Sequence, residues 1–195
     1  MLTDKDYRSY FEKGISFETY LSNMTHEALN PNDTKYTKYV PANLAYTHRV
    51  LEHIVVSKEL HVLFGRLKQN LNWLVISEHW CGDASETVPI MQAVAEASHG
   101  KILLRIVYRD QNQPLINAHL TNGGQAIPKL LQLDEHYNLL GSWGARPVQA
   151  QALVMNLKAA SESLSNTIKS VHQWYEADKT RSTQEELHAL LNLAV

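Results

Sequence analysis

Trp80-Cys81-Gly82-Asp83-Ala84 follows the apolar run Leu71-Asn72-Trp73-Leu74-Val75-Ile76 and directly precedes a stretch with helical spacing. Cys81 is the only cysteine among 195 residues. A cysteine at a strand-to-helix turn lies where the first unpaired N–H groups of the helix point. These donors and the positive end of the helix dipole favour a thiolate, so the position predicts a lowered thiol pKa. Gly82 allows another backbone to come close, and Trp80 is placed to roof the sulfur. Asp83 acts in the opposite sense, because a nearby carboxylate disfavours a second negative charge. Capping the helix, or receiving a proton or a partner's amine, are the other roles open to Asp83. Cys81 itself has two readings: a nucleophile that forms mixed disulfides, or a small apolar residue packed in a turn and inert for want of a second thiol.

Working outward, Lys101 to Asp110 reads as a β-branched strand that ends in Asp110-Gln111-Asn112-Gln113-Pro114 and a short helix. Gly123-Gly124-Gln125-Ala126-Ile127-Pro128-Lys129-Leu130-Leu131 reads as a glycine turn, an Ile-Pro step and an apolar strand. Residues 83–98 carry Val88, Met91, Val94 and Ala95 at helical spacing, with Pro89 expected to kink the helix and Gly100 beyond its end. Upstream, Phe17, Tyr20, Leu21 and Met24 share one helical face, which Pro31-Asn32-Asp33 is expected to break. A second helix is expected from Pro41, with Leu44, Val50, Leu51 and Ile54 as its buried positions. A third is expected over 58–67, capped by Ser57. One long helix is expected from Pro147 to Tyr175, and a last one capped by Ser182 or Thr183, ending near Leu191.

In order and spacing these segments resemble the thioredoxin superfamily, and more closely a bacterial thioredoxin-like family with a Trp-Cys-Gly-Asp-Ala active site. Further marks of that family are Arg109-Asp110 at the end of the second core strand and Trp143-Gly144-Ala145-Arg146-Pro147 later. The resemblance implies an α/β thioredoxin-like fold: a central mixed sheet of about four strands flanked by helices. It divides the chain into an N-terminal helical extension (1–70), a core (71–160) and a C-terminal helical extension (161–195), one compact domain overall. It also implies a cis Ile127-Pro128 bond facing Cys81, with the Ile127 backbone pairing to an extended peptide or a glutathione-like thiol. Trp80, Gly82, Ile127 and Pro128 then bind substrate around the catalytic Cys81, with Asp83, Glu78, Arg109 and His79 as modulators.

The departures from the superfamily pattern are specific. Where a dithiol oxidoreductase carries its resolving cysteine this chain has Ala84, and where it carries a buried carboxylate this chain has Val75. An internal disulfide is therefore impossible, and the expectation is monothiol exchange that an external thiol must resolve. The alternative is a non-catalytic thioredoxin-fold module that binds a peptide or protein. Glu78 stands where thiol peroxidases of this fold carry Thr or Ser, which argues against that activity. Glu78 is also placed to pair with Arg109, and His79 to activate the cysteine, although neighbouring strand residues point to opposite faces. Arg146 is expected to pack in its turn or to clamp an anionic ligand.

The charge balance, 18 Lys plus Arg against 20 Asp plus Glu, gives no long-range pull toward nucleic acid or an anionic membrane. No apolar run approaches the roughly 20 residues that span a bilayer, and the charged N-terminus has no secretory h-region. A reducing cytoplasm is the expected location. The ten histidines show no His-x-x-x-His pair, and Cys81-Gly82 shares only two residues with the Cys-Gly-Phe-Ser pattern of cluster-binding glutaredoxins. No metal or other cofactor is expected. The expected partner is a low-molecular-weight thiol or a client protein; the sequence leaves the oligomeric state open.

Overall fold

The structure, a computed structural model, describes residues 2–30 and 35–195. The expected breaker Pro31-Asn32-Asp33 lies outside the described residues. At the centre is β1 (Leu71–Ser77), buried along almost its whole length. Such a near-continuous apolar run suits a strand covered on both faces. It pairs in parallel with β2 (Ile102–Tyr108), from Leu71 opposite Ile102 to Ser77 opposite Tyr108. On its other side it runs antiparallel to β3 (Lys129–Leu133), which pairs antiparallel with β4 (Leu139–Trp143). The order β2-β1-β3-β4 is the expected mixed sheet of a thioredoxin-like fold. The parallel register brings the ends of β1 and β2 side by side, and so places the turns holding Cys81 and Arg109 at one edge.

Helices cover the sheet. α1 (Asp4–Lys13) is fixed by a capping box between Thr3 and Asp6. α2 (Phe17–Leu29) buries Phe17, Tyr20 and Met24 and stops at Asn30. α3 (Val40–His53) has proline in its first turn as expected, but its buried face is Val40, Asn43, Thr47 and Val50. Leu44, Leu51 and Ile54 are only partly buried. α3 lies against the helix after Cys81, where its polar side chains have polar partners. Ser57 caps α4 (Lys58–Phe64), accepting from the Leu60 N–H. α5 (Gly82–Ala97) starts with Cys81 as its N-cap and buries every residue from Asp83 to Met91. α6 (Gln113–Asn117) is a short turn of helix after β2.

The C-terminal expectations need two corrections. Residues 147–175 form two helices, α7 (Val148–Ala159) and α8 (Leu164–Asp178). Ser161 takes a positive φ of 57°, and Ser163 caps α8 by accepting from the Asn166 N–H. The left-handed turn at Ser161, with the Ser161 and Glu162 N–H groups donating back to the Lys158 and Leu157 carbonyls, ends α7. Neither Ser182 nor Thr183 is the last cap: both are buried inside α9 (Arg181–Leu191), whose N-cap is Thr180. Asp178 takes the cap's place by accepting from the Ser182 N–H and hydroxyl. One apolar cluster runs from Tyr7 through the sheet to Ala194 and so joins both extensions to the core.

Candidate functional site

Cys81 sits where the chain leaves β1 and turns into α5. Its thiol donates to the Ile127 carbonyl at 3.3 Å. The Ile127–Pro128 peptide is cis, and both residues are buried. Gly144 locks this loop from the far side: its φ is +122°, and a Cβ there would lie 2.1 Å from the Pro128 carbonyl oxygen. Only glycine combines that conformation with so close an approach. The Trp143–Pro147 turn is therefore part of the site, anchored through Glu186, which accepts from the Trp143 indole and from the Val148 N–H.

The expectation of a lowered thiol pKa is overturned. Cys81 is 8% exposed, and burial, with the Asp83 charge second, pushes its thiol up to about 12. The backbone N–H groups of Ala84 and Asp83 and the Arg146 charge pull the other way, as a helix start should, without offsetting desolvation. At rest the sulfur is a thiol. Val75, where a dithiol site has its carboxylate, is fully buried.

Asp83 does not cap α5. Its Oδ2 accepts from Arg146 Nε at 3.0 Å and from a second guanidinium nitrogen, and its Oδ1 accepts from the Tyr175 hydroxyl at 2.9 Å. Arg146 thus clamps an anion that belongs to the chain itself. The Tyr175 hydroxyl is held neutral, its pKa raised by burial and then by Asp83. One turn along, Glu86 is 2% exposed. It accepts from Arg49 on both carboxylate oxygens at 2.7 Å, and His172 Nδ1 lies 2.7 Å from its Oε1. Tyr46 stacks on the His172 ring at 3.8 Å. Neither cluster was among the expected site groupings. Two carboxylates, Asp83 and Glu86, in the first turns of the helix that follows the central strand were the signal, since buried carboxylates need partners.

The remaining predicted modulators stand apart from the sulfur. His79 is not its base: Nδ1 lies 2.6 Å from Glu27 Oε2 and Nε2 3.1 Å from the Tyr108 hydroxyl. Glu78 does not pair with Arg109. It accepts from the Asp110 N–H at 2.9 Å, and burial lifts its pKa to about 7. Arg109 instead bonds Asp110 and lies over the Trp80 ring, 4.8 Å from its centre. Tyr36 stacks on Trp80 at 4.8 Å, and Asn43 donates to the His79 carbonyl at 3.0 Å. Of the residues expected to bind substrate, Ile127 and Pro128 are therefore buried with Cys81, and Trp80 is partly covered by Tyr36 and Arg109. Gly82 stays partly exposed, beside a cavity of about 260 Å³ that Arg146, Lys158 and His172 also line. Among the described residues no group of three or more His, Cys, Asp or Glu could hold a metal, and no helix is long and apolar enough to cross a membrane.

The sequence model of a family described as thioredoxin matches residues 29–163. Two solved structures share the fold, each with a TM-score of 0.65. One is a protein of unknown function from Pseudomonas aeruginosa, 17% identical, with 100% of each chain covered. The other is an HIV epitope-scaffold, 20% identical, with 97% of this chain and 99% of that one covered. No curated protein matches.

Proposed function

The chain belongs to the thioredoxin family, and on that premise we propose that it is a single-thiol exchange protein whose Cys81 is stored protonated and reacts when a partner opens the site. The observation that carries this reading is what converges on the sulfur. The Ile127 carbonyl of the cis-proline loop, the Asp83 and Ala84 N–H groups and the Arg146 charge all act on it. The N–H groups and the guanidinium favour a thiolate, whereas the Ile127 carbonyl accepts the thiol proton, and desolvation, with the Asp83 charge second, keeps the sulfur a thiol. A client that displaces the Tyr36–Trp80 cover would rehydrate the sulfur. The Cys81 thiolate then attacks a client disulfide, forming Cys81–S–S–client and releasing the other half as a thiolate. Ala84 offers no second thiol, so an external thiol must free Cys81. We place this chemistry in a reducing cytoplasm, where such thiols abound.

A second reading, a binding module without chemistry, is favoured by the buried, protonated state of the thiol. Incubating the folded protein with an oxidised peptide disulfide separates the two. The exchange reading expects a mixed disulfide by mass spectrometry that is absent in Cys81→Ser. Capture of the peptide by Cys81→Ser as tightly as by the wild type, with no covalent product, would establish the module instead.

A further inference from the structure

The cavity at the start of α5 holds a polar atom that no other described residue bonds. His172 is 7% exposed. Its Nδ1 lies 2.7 Å from Glu86 Oε1, a carboxylate also held by Arg49. An ionised carboxylate only accepts, so Nδ1 carries a ring proton, which in a neutral imidazole leaves Nε2 as the lone-pair nitrogen. Among the described residues nothing bonds to Nε2. It faces Gly82, where a Cβ would lie 3.0 Å from it, and His172 and Gly82 both line the cavity. The absence of a side chain at Gly82 keeps the space in front of Nε2 open, one residue from the reactive sulfur.

The other walls suit a small ligand with one negative end. Arg146 is committed to Asp83, whereas Lys158 is exposed and has no ion-pair partner among the described residues. Val154 and Val171 supply an apolar side between them. The volume of about 260 Å³ suits a molecule of a few heavy atoms.

We propose that this cavity seats the second thiol of the exchange, a small thiol bearing a carboxylate, with His172 Nε2 taking the thiol proton and Lys158 meeting the carboxylate. The proposal rests on the exchange reading above and names the external thiol's class. The incoming R–SH gives its proton to Nε2. R–S⁻ attacks the client sulfur of Cys81–S–S–client, the R–S–S–client bond forms, and the bond to Cys81 breaks. Its electron pair stays on the Cys81 sulfur, which takes the proton back from Nε2. No oxidant beyond the client disulfide is needed. Glu86 and Arg49 hold the ring from one side and Tyr46 stacks on it. Asp83 with Arg146, and Lys158, are the charges across the cavity. Glu86 and its ion pair therefore act as positioning groups.

The test starts from protein loaded at Cys81 with a short cysteine peptide and follows the appearance of free Cys81 by mass spectrometry. 3-Mercaptopropionate and cysteamine, similar in size and opposite in end charge, are the probes. His172→Gln is expected to slow release at pH 7 by about 10²-fold, the low end for a general base. With cysteamine, whose ammonium favours the thiolate, the gap should close above about pH 9.5, where the probe thiol ionises unaided. Lys158→Glu, on the surface and so harmless to folding, should shift the preference between probes toward cysteamine by roughly tenfold. An unchanged rate in His172→Gln, a slowing that persists at high pH, or an unchanged preference in Lys158→Glu overturns the assignment while leaving exchange at Cys81 intact. A Cys81 that cannot be loaded at all removes the exchange reading, and this inference with it.

Discussion

At the scale of single residues, Cys81 and Asp83 are coupled through what surrounds them. A cysteine at a helix start is ordinarily acidic, but the helix start here is buried, and desolvation outweighs the helix N–H groups. Alkylation of the folded protein should therefore titrate with a midpoint above the free value of about 8.5. Asp83→Asn removes the second cause and frees Arg146 to act on the sulfur, so its midpoint should fall below that of the wild type yet stay above the free value. The same change strands a guanidinium whose side chain is only 22% exposed. A stability loss of roughly 2–3 kcal/mol is expected, less than the about 3–5 kcal/mol for breaking a fully buried pair. A midpoint that does not move would mean the Asp83 charge is already neutralised by Arg146. The sign for folding follows: the folded state holds the Cys81 proton more tightly than the unfolded chain, so stability is full below about pH 8.5 and falls as pH rises toward about 12.

At the scale of elements, the turn between β4 and α7 ties the cis-proline loop to the C-terminal helices. Gly144 meets the Pro128 carbonyl, Arg146 reaches Asp83, and Glu186 of α9 fastens the turn's two ends. Gly144→Ala has no room: the added carbon would sit inside the Pro128 carbonyl at a φ that L-residues rarely adopt. It should cost about 4 kcal/mol or more, in the range reserved for backbone strain and severe overpacking, measured as a fall in the denaturation midpoint. A loss under about 1 kcal/mol would show that the loop yields easily and does not hold Ile127 against the sulfur. The motif Trp143-Gly144-Ala145-Arg146-Pro147 was legible as a turn, but its role was not, because its partners Pro128, Glu186 and Asp83 come from other segments of the chain.

At the scale of the whole molecule, the two extensions close the site between them. From the N-terminal side Tyr36 stacks on Trp80 and Asn43 holds the His79 carbonyl. From the C-terminal side Tyr175 and His172 reach the start of α5. Asn43→Ala leaves a buried carbonyl without its donor, a loss of about 1–3 kcal/mol. It should also raise the rate of Cys81 alkylation at fixed pH, since the clamp on the turn before Cys81 is released. Destabilisation without faster alkylation would place the cover elsewhere.

The framework was legible in the chain: β1 as a mainly apolar run, α5 from its spacing, and the strand-to-helix position of Cys81. These are set by neighbours in the chain, through side-chain period and capping, so local reading suffices. The sequence by itself also determined that no internal disulfide forms, because there is one cysteine. The break between α7 and α8 was not legible, because its left-handed residue is Ser161 rather than glycine, and only the Ser163 cap left a trace in the sequence. Only the tertiary structure decided the state of the sulfur. Helix start and nearby carboxylate were both legible, but the balance depends on how much water remains. That is set by groups such as Ile127 and Tyr175, which arrive from distant segments. The partners of Asp83 and Glu86 were decided in the same way: charge buried in one helix is satisfied by whichever cation the fold delivers, and spacing along the chain carries no record of that choice.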